Sequence, residues 1–108
     1  MSTLDACQIT TVATDDQVVV VVAGEVDLLT LDAVSSALTE AQASRRDLVV
    51  DLSATTFMDS SGLHAVLDAF RAQRDAGRSF SLRAPSGAVV RVLEMAGLEH
   101  VLPTVARP

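Results

Sequence analysis

Apolar positions follow two rhythms along this chain, and each change of rhythm marks a change of element. Residues 6 to 13 (ACQITTVA) and 17 to 23 (QVVVVVA) are rich in β-branched side chains and are separated by Thr14, Asp15 and Asp16, which predicts an antiparallel hairpin. The unbroken valines from Val18 to Val22 leave that strand no polar face, so neighbours are expected on both sides and cover on much of both faces. From Thr30, which reads as an N-cap, the rhythm turns helical. Leu31, Val34, Leu38 and Ala41 fall on one stripe of a helix that ends near Ser44, Arg45 and Arg46. Residues 47 to 52 (DLVVDL) predict a third strand, again continuously apolar rather than alternating.

A second helix follows the stretch DLSATTFMDSSGL, with Leu63, Val66, Leu67 and Phe70 on one face and Gly77 as the residue just past its end. Residues 78 to 84 (RSFSLRA) alternate as a fourth strand. Ser86 then reads as the N-cap of a third helix that carries Val89, Val92, Leu93 and Ala96 and stops at Gly97. Residues 98 to 103 (LEHVLP) are expected to form a short fifth strand. The predicted fold is therefore α/β: a mixed sheet of four to five strands, its N-terminal hairpin antiparallel and the remainder parallel, with helices packed on it. With no repeat, linker or low-complexity segment, residues 1–108 read as one domain.

Composition narrows the function classes. The longest run without a polar side chain, Val18 to Gly24, is far shorter than the roughly 20 residues of a membrane span. Residues 1 to 10 lack the basic start and long apolar centre of a secretory signal, so the expected location is cytoplasmic. Cys7 alone can make no internal disulfide and no Cys/His metal cluster; it reads as a small, buried strand residue. Fourteen acids face eight arginines, lysine is absent and the net charge is −6, with neither Trp nor Tyr. A duplex binder needs a basic footprint and a single-strand binder needs stacking aromatics, so nucleic acid is disfavoured and a basic protein partner is favoured.

The candidate chemistry lies in DLSATTFMDSSGL, in a loop at the carboxyl end of a parallel strand, where functional loops of such sheets gather. Ser60 and Ser61 have three possible roles. A serine that starts a helix caps its free N–H groups, which accounts for one hydroxyl but not for two, nor for Gly62 in the first turn. A nucleophile is poorly supported: Phe57-Met58-Asp59-Ser60-Ser61-Gly62 lacks the first glycine of a hydrolase elbow, and no acid orients His64. A phosphate site would need a glycine pattern and a lysine that are absent, and Asp59 would repel the anion. The third role is a modifiable switch. A phosphoryl group on Ser60 adds about −1.5 to −2 charges beside Asp59, at a helix N-terminus that tolerates anions.

These residues resemble a known family, the STAS domain, and within it the bacterial anti-sigma factor antagonists. GEVDLLT at 24 to 30, DLSATTFMDSSGL at 51 to 63 and VLEMAGLEHVLP at 92 to 103 carry the resemblance, in the same order and over nearly the whole chain. It implies a partner-switching regulator rather than an enzyme, with no cofactor. The unmodified form would bind an anti-sigma factor that is also a serine kinase of the ATPase fold, so freeing a sigma factor. Phosphorylation of Ser60 would end that contact and a serine phosphatase would restore it. By position, Ser60 is the phosphoacceptor, Asp59, Ser61 and Gly62 flank it on the partner-binding surface, and Asp27, which reads as an exposed loop acid, belongs to the neighbouring part of that surface. A monomer or weak dimer is implied. The alternative class is a non-switching STAS subunit of a lipid-transport or sensory complex, or a module that binds a nucleotide or other ligand weakly.

Overall fold

The computed structural model describes residues 7 to 106. Its elements run β1 (Cys7–Ala13), β2 (Gln17–Val26), α1 (Leu31–Ala43), β3 (Asp47–Asp51), β4 (Thr55–Met58), α2 (Ser60–Asp75), β5 (Phe80–Arg83), α3 (Gly87–Met95) and β6 (Thr104–Val105). The strands form one mixed sheet in the order β1-β2-β3-β5-β6, with β4 paired to β2 off that path. Only β1 and β2 are antiparallel, Cys7 facing Gly24 and Ala13 facing Val18; every other pairing is parallel.

The valine strand sits as its sequence requires. β2 has β1 on one side and both β3 and β4 as parallel partners. Val18, Val20, Val22 and Val26 are buried together with Leu48, Val50, Leu52 and Leu82 of neighbouring segments, against Val34, Leu38 and Ala41 of α1 and Leu63, Val66 and Ala69 of α2. Leu67 and Phe70, expected on the buried face of α2, are only partly buried at its margin, while Gln73 is fully buried. Gln73 accounts for its place: its amide Nε2 donates to the carbonyls of Arg46 and Ser79, tying the ends of α1 and α2 to the start of β5.

Both predicted glycine stops hold. Gly77 and Gly97 have φ of +73° and +71°, and after each the next N–H reaches back over the last turn, Arg78 to the Gln73 carbonyl (2.9 Å) and Leu98 to that of Leu93 (2.8 Å). Ser86 caps α3 as expected, accepting from the Val89 N–H.

The sheet has six strands where four to five were predicted, and two differences account for the change. Residues 98 to 103 form turns that bury Leu102, and the last strand comes later as Thr104–Val105, beside Leu82 and Arg83. The additional strand, β4, lies inside the stretch read as a loop. Its four residues carry only two buried side chains, Thr55 and Met58, too few to set a rhythm. What makes it a strand is β2, which extends to Val26, five residues beyond Val21, the last to pair with β3. β4 fills that vacant edge, and the fully buried Thr55 hydroxyl donates to the Val22 carbonyl at 2.8 Å.

Candidate functional site

β4 decides the layout of the site. Val26 lies beside Met58, and the Asp59 N–H donates to the Val26 carbonyl (3.1 Å), so the chain leaves β2 at Asp27 and leaves β4 at Asp59 at the same level. Residues 32 positions apart in sequence thus open side by side at the carboxyl edge of the sheet.

Asp59, not a serine, is the N-cap of α2. Its carboxylate accepts from the Gly62 N–H (3.1 Å) and from the Ser61 hydroxyl (2.5 Å). These two bonds, the Ser61 hydroxyl foremost, hold the Asp59 carboxyl below its ordinary range. Of the three roles weighed for the serines, capping is thereby excluded: Ser60 is the first helical residue. That separates the two serines. Ser61 is half-buried with its hydroxyl committed to Asp59, whereas Ser60 is exposed and its hydroxyl makes no hydrogen bond among the described residues. His64, one turn further along, is also exposed, and its imidazole makes no hydrogen bond among the described residues.

Gly62 is buried beneath the site. A Cβ at this position would stand 2.6 Å from Val26 Cγ1 and 3.1 Å from Met58 Cγ. Its missing side chain thus lets α2 start directly over the junction of β2 and β4, which is how this residue shapes the surface.

Asp27 is half-buried rather than the exposed acid expected. Its Oδ1 accepts from the N–H groups of Leu29 (2.9 Å) and Thr30 (3.3 Å), and its own N–H donates to Thr30 Oγ1 (3.0 Å). The Thr30 hydroxyl in turn donates to the Glu25 carbonyl (2.8 Å) and so does not cap α1; Asp27 covers the free donors of that turn instead. This hydrogen-bonded turn presents Leu28 and Leu29 to solvent at 75% and 85% exposure.

On the other side of Ser60, α3 is held against β4 because the Ser86 hydroxyl donates to the Thr55 carbonyl (2.5 Å). Between α2 and α3 an apolar groove of about 320 Å³ opens, lined by Met58, Asp59, Ser60, Leu63, Val92, Met95 and Ala96. Met95 is 82% exposed. Sequence reasoning found the acids and hydroxyls but missed these apolar contributors. The signal was available in Leu28-Leu29, two leucines in a turn where polar residues are usual.

Glu25, Asp27, Asp32 and Asp59 all lie in or beside this edge, and the segments 24 to 32 and 57 to 63 contain no arginine. The arrangement is an acidic rim around exposed apolar side chains, with the Ser60 hydroxyl unpaired among the described residues. Among the described residues no group of three or more His, Cys, Asp or Glu side chains is placed to hold a metal ion, and no helix is long and apolar enough to cross a membrane. Cys7 lies apart from the serines on β1, and burial, with a smaller contribution from the charge of Asp27, pushes its thiol up.

Residues 9–104 match the family model described as "Mlab, STAS domain". The chain belongs to the STAS domain family. Among solved structures it is similar to an anti-sigma factor antagonist from Mycobacterium paratuberculosis, with 28% identity over 96% of this chain and 89% of the other and a TM-score of 0.84. It shares its fold with the phosphorylated form of the Bacillus cell fate determinant SpoIIAA, at 23% identity over 95% and 92% of the two chains and a TM-score of 0.73. It likewise shares the fold of Moorella thermoacetica RsbS bearing a serine-to-glutamate substitution, at 21% identity over 94% and 88% and a TM-score of 0.75.

Proposed function

We propose that this STAS domain is an anti-sigma factor antagonist of the cytoplasm that acts by binding and has no catalysis of its own. In this reading the unmodified domain docks an anti-sigma factor that is also a serine kinase, through Asp27, Asp59, Ser60, Ser61 and the apolar side chains beside them, and so frees a sigma factor. The kinase transfers a phosphoryl group to Ser60, which ends the contact, and a serine phosphatase removes it. The observation that carries the reading is the free, exposed Ser60 hydroxyl between an acidic rim and an apolar groove, next to a Ser61 hydroxyl already held by Asp59. Relatives of the same fold that include a phosphorylated form and a serine-to-glutamate variant support it.

The physical consequence of modification follows from the site. The Ser60 oxygen attacks the γ-phosphorus of ATP, ADP leaves, and the hydroxyl proton passes to a base of the kinase. The new group lowers the net charge from −6 to about −8. Asp59 already occupies the Gly62 N–H at the start of α2, so the phosphate finds that donor taken and a carboxylate beside it. Docking then has to desolvate two neighbouring anions, which lowers affinity by about 2 to 4 kcal/mol, or roughly 30- to 1000-fold.

The test is incubation with the cognate kinase and ATP, mass spectrometry of the product, and affinity measurement on both forms. Phosphate on Ser60, normal binding by Ser60→Ala and weak binding by the phosphorylated form are expected. Phosphate on Ser61 would overturn the assignment. Equal affinities for the two forms would leave a non-switching subunit as the reading.

A further inference from the structure

The groove next to Ser60 has one wall of unusual chemistry. Met95 closes α3, lines the groove together with Ser60, and stands 82% exposed, whereas Met58 on the groove floor is 3% exposed. A flexible thioether adapts well to an incoming apolar side chain, but among the side chains lining this groove it is also the one that peroxide readily converts into a polar group. Exposure selects which methionine reacts. Position gives the reaction a consequence, because oxygen on Met95 would alter the same groove that Ser60 borders.

We propose that Met95 is an oxidation site, and that its conversion to the sulfoxide by a hydroperoxide weakens docking of the partner independently of Ser60 phosphorylation. The inference rests on the docking surface proposed above, with an apolar side chain of the anti-sigma partner occupying the groove. In the reaction the Met95 sulfur lone pair attacks one peroxide oxygen. The O–O bond breaks as the S–O bond forms, and the departing oxygen leaves as water or alcohol after taking the proton. Sulfur is oxidised by two electrons and the peroxide is reduced by two. A dithiol-dependent sulfoxide reductase reverses the step. Once formed, the sulfoxide oxygen is a strong acceptor at the wall of a groove lined by Leu63, Val92 and Ala96, where a docked partner would leave it without water.

The experiment treats the whole, unphosphorylated chain with dilute hydrogen peroxide, maps oxidation by peptide mass spectrometry, and measures affinity for the anti-sigma partner. Met95 is expected to oxidise well before Met58, with affinity falling about 10-fold, the scale of one polar group buried without a partner. Met95→Leu should lose none of its own starting affinity after peroxide, and Met95→Gln should bind as weakly as the oxidised protein. Oxidation of Met58 first, or unchanged affinity once Met95 is oxidised, would overturn the inference. Phosphorylated protein run in parallel separates the two ideas: if phosphate abolishes binding and oxidation does not, the switch stands and only the role of Met95 falls.

Discussion

The same short motif occurs twice, and the two copies have opposite fates. In Asp51-Leu52-Ser53 and in Asp59-Ser60-Ser61, a carboxylate accepts the hydroxyl of a serine two residues on, at 2.7 and 2.5 Å. At the first, the carboxylate is fully buried and closed by Arg83, whose Nε donates to Asp51 Oδ2 at 2.7 Å from the facing position on β5. At the second, no arginine is paired with the carboxylate among the described residues, and Ser60 faces solvent. A matched arginine turns an acid and hydroxyl pair into a strut. Without one, the same pair marks a surface where a charge can be added, which is the physical basis of the proposed switch.

Breaking the closed copy should have the largest effect on stability. Arg83→Ala leaves a buried carboxylate with only Ser53 as partner and is expected to cost about 3 kcal/mol in denaturant unfolding, while phosphorylation of Ser60 continues. Acid sharpens the point. Burial opposes ionisation of Asp51, yet the hydroxyl and N–H of Ser53 together with Arg83 outweigh it and hold the carboxyl below its ordinary range. A carboxylate depressed on folding contributes stability that is complete above its unfolded pKa, about 4, and lost as pH falls through the folded value. The gap between wild type and Arg83→Ala should therefore narrow as pH drops below about 4. A gap independent of pH would detach the stability from this ion pair.

Beneath the open copy, Gly62→Ala pushes a methyl group into Val26 and Met58 and should cost about 1 to 3 kcal/mol, read by thermal unfolding. No loss would mean that α2 shifts freely. Asp27→Ala removes the acceptor of the Leu29 and Thr30 N–H groups, with an expected cost of about 1 kcal/mol in stability together with weaker partner binding. An affinity unchanged by that substitution removes Asp27 from the docking surface. The smallest effect belongs to Ser61→Ala, about 1 kcal/mol or less, because one hydrogen bond to a partly exposed carboxylate is lost. Its kinase modification at Ser60 should persist; loss of phosphate from this variant would point to Ser61 as acceptor.

Much of this molecule was written in local pattern. The valine run required a central strand, helical spacing placed α1, α2 and α3, and Gly77 and Gly97 stopped two of them, because backbone geometry and burial of a stripe are properties of neighbouring residues. Asp59, Ser60 and Gly62 could also be picked out as a group from the sequence, and the family resemblance gave each a role. Tertiary structure decided the rest. It made Thr55–Met58 a strand by offering it the free edge of β2, and that pairing brought Asp27 to Asp59 and left Leu28, Leu29 and Met95 exposed nearby. It chose Asp59 as the cap, which freed the Ser60 hydroxyl, and it set Arg83 opposite Asp51 but, among the described residues, paired no arginine with Asp59. Local pattern cannot specify the β2–β4 pairing or the Arg83–Asp51 pair, since each satisfies buried polar groups with partners more than 30 positions away in sequence.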